Sequence, residues 1–147
     1  MNSKEYLQQI RKLNVLIDIK WSEIQSLRSI LTNTGVSVGN EPVKHSTEGD
    51  KFSNVIGKII EAEEELNKSI DEYVDLKKEV LCVTEQLEPK YLQILYKRYF
   101  EFKRWEVIAD EIGYNLQHTT KLHGYALKMI DDIRTECYEN TNEANEK

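Results

Sequence analysis

Between Asn115 and Ile130 the chain carries two lysines, two histidines and no carboxylate. The side chains in and beside this stretch with the means to do chemistry are Asn115, Gln117, His118, Thr120, Lys121 and Gly124. Gln and Lys hydrogen-bond the edges of nucleic-acid bases, Thr and Lys bind phosphate, and Gly admits a close backbone. Spacing matters as much as type. If Thr119, Leu122 and Ala126 turn inward on a helix, then Gln117, Thr120, Lys121 and Gly124 share the outward stripe, with His118 and His123 flanking it. Such a set binds by polar contact and performs no bond chemistry. Elsewhere the sequence offers no nucleophile–base pair, no glycine-rich phosphate loop and no metal-ligand spacing. It therefore predicts no enzyme, no cofactor and no metal site.

These residues need a helix to hold them, and the texture from Leu87 onward supplies three. Glu88-Pro89 opens the first, with Pro tolerated in the first turn. Tyr91, Leu92, Ile94, Leu95 and Tyr99 form its buried face, which ends near Phe100. A short helix follows over 104–112, with Trp105, Ile108, Ala109 and Ile112 facing inward. Gly113 then stands where a helix end needs a left-handed residue. Asn115 is placed to cap the third helix, 116–134, whose inner side carries Thr119, Leu122, Ala126, Leu127 and Ile130. Helix, glycine turn, capped helix is the grammar of a helix-turn-helix.

The remainder predicts an all-α chain. Residues 4–31 and 52–83 each repeat apolar side chains at alternating spacings of three and four. The first seam runs Leu7, Ile10, Asn14, Ile17, Trp21, Ile24, Arg28, Leu31. The second runs Phe52, Ile56, Ile59, Glu63, Leu66, Ile70, Tyr73, Lys77, Val80. Two matched seams predict a long antiparallel helical hairpin, a coiled-coil-like arm joined by a mobile loop at 32–50 that is rich in Gly, Asn and Ser. A homodimer through these N-terminal helices is a further expectation. The domains read as an arm at 1–83, a helix-turn-helix domain at 84–134 and an acidic disordered tail at 135–147.

Charge sharpens the assignment. The formal net charge is −6, unfavourable for a nucleic-acid partner taken whole. Residues 1–83 hold 11 basic and 14 acidic side chains, residues 84–134 hold 8 of each, and the tail holds 1 and 4. The carboxylate-free stretch thus coincides with the proposed outward stripe. Cys82 and Cys137 are far apart in sequence and neither sits in a CxxC pair, which fits a reduced compartment. No apolar run approaches membrane-spanning length and the start is too polar for a secretory signal, so a cytoplasmic protein is expected.

Residues 87–130 resemble region four of sigma-70 type factors, the part that reads the upstream promoter element. The resemblance lies in Leu87 and Pro89, Arg98-Tyr99-Phe100, Trp105 with Ile108-Ala109 and Ile112-Gly113, and Ala126-Leu127-Lys128. With its coiled N-terminal part and the His123-Gly124-x-Ala126-Leu127 ending, the whole chain resembles small phage and prophage regulators of Gram-positive bacteria. The resemblance implies a DNA-binding transcription regulator in the bacterial cytoplasm, with promoter duplex and RNA polymerase as partners. One departure bears on strength. Sigma recognition helices carry arginines near their start, where this chain has Leu116, His118 and Thr120, and only Lys121 is fully charged. No counterpart of a promoter-melting domain is visible either. Rival readings are a protein-interaction adaptor that binds RNA polymerase or a phage partner, and a DNA-packaging recognition subunit.

Overall fold

The computed structural model describes residues 1–34 and 45–145, and every regular element among them is an α-helix. The helices are α1 (Ser3–Thr34), α2 (His45–Thr84), α3 (Pro89–Tyr99), α4 (Trp105–Ile112) and α5 (Leu116–Asn145). None of them among the described residues is long and apolar enough to cross a membrane.

Three helix ends differ from expectation. α1 and α2 extend to Thr34 and back to His45, so residues 32–34 and 45–50 of the expected loop are helical, and residues 35–44 lie outside the described residues. Gly49 sits inside α2, because one glycine in a helix costs about 1 kcal/mol relative to Ala and does not stop an established helix. Likewise α5 continues to Asn145 through the stretch expected to be a disordered tail. That stretch contains no Pro or Gly, and each residue added to an existing helix gains a backbone hydrogen bond.

The chain divides into two compact units, one of Met1–Lys12 with Val74–Lys147 and one of Leu13–Tyr73. In the first, α3, α4 and α5 pack on one another around Ile94, Leu95, Ile108, Thr119, Ala126 and Ile130, all essentially removed from solvent. Pro89 starts α3 at the position where its missing N–H is harmless. The first turns of α1 belong to this unit too. Leu7 and Ile10 are fully buried, and Asp131 of α5 accepts hydrogen bonds from the Ser3 N–H, at 2.9 Å, and from the Ser3 hydroxyl. The Tyr6 hydroxyl donates to Glu79 at 2.8 Å, and the Arg134 guanidinium lies 4.1 Å from the centre of the Tyr6 ring.

In the second unit the Lys20 ammonium donates to the Ser69 hydroxyl at 2.8 Å, and Arg28 forms an ion pair with Glu63. Partner numbers fall on α2 as they rise on α1. Ile24, Ile59, Leu66 and Ser69 are buried here. Five members of the expected seams are exposed: Trp21, Arg28, Phe52, Ile56 and Ile70. The expected seams are thus split: Ile24, Ile59 and Leu66 are buried as expected, and the remaining members named here face solvent.

Burial separates side chains that hold the fold from those that do not. Ile94→Ala should destabilise the first unit by about 2–5 kcal/mol, through lost transfer energy and the cavity left behind. Ile60→Ala, at a position 52% exposed, should stay within about 0.5 kcal/mol. Urea unfolding followed by far-UV circular dichroism compares the two.

Candidate nucleic-acid interface

The link between α4 and α5 is three residues long, and each residue has a definable task. Gly113 adopts φ 77°, ψ 23°, a left-handed conformation that a Cβ would strain. This brings two donors back onto one carbonyl: Ala109 O accepts the Gly113 N–H at 3.0 Å and the Tyr114 N–H at 3.1 Å, a Schellman-type end. Asn115 then caps α5, its Oδ1 accepting the His118 N–H at 2.7 Å. The buried Thr119 hydroxyl donates to the Asn115 carbonyl at 2.9 Å. Small Ala109 and Ala126, both buried, line the inner sides of α4 and α5, which pack on each other.

With Thr119, Leu122, Ala126 and Ile130 buried, the outward side of α5 carries Gln117, Thr120, Lys121 and Gly124, all exposed. Asn115 and His118 are exposed as well, at the start of the helix. Their roles differ in detail. Asn115 spends its carbonyl oxygen on the cap, and the Thr120 hydroxyl donates back to the carbonyls of Gln117 and Leu116 at 3.0 and 3.2 Å. The His118 ring meets the Tyr114 ring edge-on at 4.8 Å. Gly124 is helical, and a Cβ built there would meet nothing within 4 Å, so no internal contact requires a glycine. Tyr125 and Lys128, both exposed, extend the same side by one turn. Their spacing of four from Lys121 and Gly124 was available in the sequence as the signal for including them.

His123 departs from expectation. It does not flank the outward stripe but is half-buried between α3 and α4 residues. Its Nε2 shares a 2.8 Å hydrogen bond with the Tyr99 hydroxyl, and its ring stands edge-on to Trp105 at 4.6 Å. Burial, with the positive charges of Arg98 and Lys4, pushes its pKa down to about 4. Burial also raises the Tyr99 phenol to about 12. Both partners are therefore neutral across the physiological range.

The neighbouring cations are mostly committed to the fold. The Arg98 guanidinium lies 4.7 Å from the centre of the Trp105 ring and donates to the Lys103 carbonyl at 2.9 Å. Glu111 receives Lys97 at 2.6 Å and Lys103 at 2.7 Å, and Glu101 receives Lys103 at 3.0 Å. Hydrogen bonds from Lys103 and Lys97 hold the Glu111 carboxyl below its usual range, and those to Glu111 and Glu101 raise Lys103. Lys121, Lys128 and Arg104 carry no such ion pair among the described residues. What the surface offers a ligand is a narrow cationic and amide-bearing stripe, free of carboxylates over 115–130. No protein-family model, no curated protein and no solved structure matches the chain.

The buried imidazole couples stability to pH. His123 is depressed from an ordinary value of 6.5 to about 4 in the fold. Its contribution is therefore complete above pH 6.5 and lost as pH falls toward 4, since the unfolded chain binds the proton first. The His123 ring resonances should titrate with a midpoint near 4. Wild-type melting temperature should fall more steeply between pH 6.5 and 4.5 than that of His123→Phe, with parallel curves counting against the assignment.

Proposed function

We propose that α4, the Gly113–Asn115 turn and α5 act as a helix-turn-helix that seats the first two turns of α5 in the major groove of promoter DNA. On this reading the chain is a non-enzymatic transcription regulator of the phage type. Its C-terminal part works as region four of sigma-70 type factors does, alongside bacterial RNA polymerase. Residues 13–34 and 45–73 serve as an antiparallel helical hairpin, the arm of the molecule.

One observation carries the proposal: an exposed, carboxylate-free stripe of Gln117, Thr120, Lys121 and Gly124 directly follows a capped glycine turn. In helix-turn-helix proteins the opening residues of the second helix reach the base edges. Gln117 has the donor and acceptor to read an adenine edge, and Lys121 suits guanine or phosphate. Gly124 allows the helix backbone to lie close to the sugar-phosphate wall. The chemistry also sets the strength. With Lys97, Lys103 and Arg98 held by the protein itself, few phosphates are neutralised, so salt dependence is shallow and affinity is of micromolar order.

Duplexes selected from a random library, with and without bacterial RNA polymerase, supply the probe. Lys121→Glu should weaken binding at low salt by at least about tenfold, because an attraction becomes a repulsion. Gln117→Ala and Thr120→Ala should change sequence preference more than overall affinity. Gly124→Ala should raise thermal stability slightly, by up to about 1 kcal/mol, while weakening binding. Equal binding by wild type and Lys121→Glu, in variants shown by circular dichroism to be folded, removes the reading.

A further inference from the structure

The second unit buries one apolar row and leaves others in solvent: Val15, Ile19 and Ile30 on one side of α1, and a second set on the side of the Arg28–Glu63 pair. Trp21 is 52% exposed, Phe52 50%, Ile56 37% and Ile70 37%. These are not scattered. Phe52, Ile56, Glu63 and Ile70 recur at spacings of four and seven, so they form one stripe on α2. Trp21 and Arg28 are seven apart and form one stripe on α1. Arg28 and Glu63 form an ion pair, which places both stripes on the same side of the unit. The result is a single face with Trp21 and Ile70 toward one end, Ile56 and Phe52 toward the other, and a charge pair between them.

We infer that this face receives a second copy of the chain. The inference rests on the hairpin reading of residues 13–34 and 45–73 and is independent of the DNA reading. The four side chains leave roughly 400 Å² of apolar surface in solvent, at the scale where patches on monomers mark interfaces. A standard interface takes about 800 Å² from each partner, a little over half of it apolar, so one partner's share is matched.

A two-fold axis running along the helices lays α1 of each copy over α2 of the other. Partner numbers rise on α1 as they fall on α2, so Arg28 then meets the second copy's Glu63 at its own height. Trp21, seven residues before Arg28, meets the second copy's Ile70, seven residues after Glu63. The face is thus complementary to itself, as an isologous interface requires. Arg28 and Glu63 of each copy keep their own ion pair and gain a second partner across the interface, so neither is buried unpaired.

Sedimentation equilibrium of the full chain without DNA tests this at micromolar concentration. Wild type should have twice the chain mass, and Ile70→Asp the mass of one chain with unchanged helicity. Arg28→Glu alone and Glu63→Arg alone should each dimerise at least roughly tenfold more weakly, since like charges then meet across the axis. Mixed in equal amounts, these two single variants should recover dimers, because each supplies the other's missing sign. Should Ile70→Asp lose helicity, Trp21→Ser at the more exposed position makes the same comparison. A monomeric wild type, an Ile70→Asp or Trp21→Ser chain as dimeric as wild type, or a mixture no more dimeric than its components overturns the inference. Each of those results leaves the duplex-binding reading standing.

Discussion

Gly113 must hold a backbone conformation that residues with a Cβ adopt only under strain, and the outer surface of α5 depends on it. The left-handed turn ends α4 after two turns of helix and returns the Tyr114 N–H to Ala109. Only then does Asn115 reach the position from which its carbonyl oxygen caps α5. The cap sets the rotation of the helix at its first residue. That rotation decides that Thr119, Leu122 and Ala126 go in and that Gln117, Thr120, Lys121 and Gly124 stay out. A slip of one residue at the cap would turn the stripe by about 100° and bring buried side chains to the surface.

Electrostatics follow from the same packing. A chain with a net charge of −6 presents a cationic stripe only where carboxylates are missing from the sequence or are occupied elsewhere. Both conditions operate here. Glu111 and Glu101 are taken up by Lys97 and Lys103, while Arg98 lies on Trp105, beside the Tyr99–His123 pair. These contacts fasten α3, the loop after it, α4 and α5 to one another. They also remove three cations from any ligand, which leaves Lys121 and Lys128 as the charges on the exposed side of α5 over 116–130.

The long helices obey a different constraint. A helix in a two-helix unit buries one stripe, and any further apolar row stays wet until another surface covers it. α1 and α2 each carry such a second row. The apolar positions at spacings of three and four were plain in the sequence, but two overlapping rows satisfy that spacing. The expected seams held both sets, and packing divided them: Ile24, Ile59 and Leu66 are buried, while Trp21, Phe52, Ile56 and Ile70 stay exposed. Nothing local distinguishes them, since both have the same period.

The sequence by itself determined what depends on neighbours a few residues away. That covers the all-helical class, the start of α3 at Pro89, the end of α4 at Gly113, the Asn115 cap and the inward set of α5. Backbone sterics and capping chemistry act within one turn, so the residues that cause these features sit beside them. The outward positions Gln117, His118, Thr120, Lys121 and Gly124 were legible for the same reason. Only the tertiary structure decided which apolar row α1 and α2 bury, that the first turns of α1 pack with α5, and that His123 is a half-buried partner of Tyr99 and Trp105. Each of those depends on residues that meet only after folding, such as Ser3 with Asp131, 128 positions apart. Side-chain types and spacing carry no record of such encounters, because burial is settled by what packs opposite.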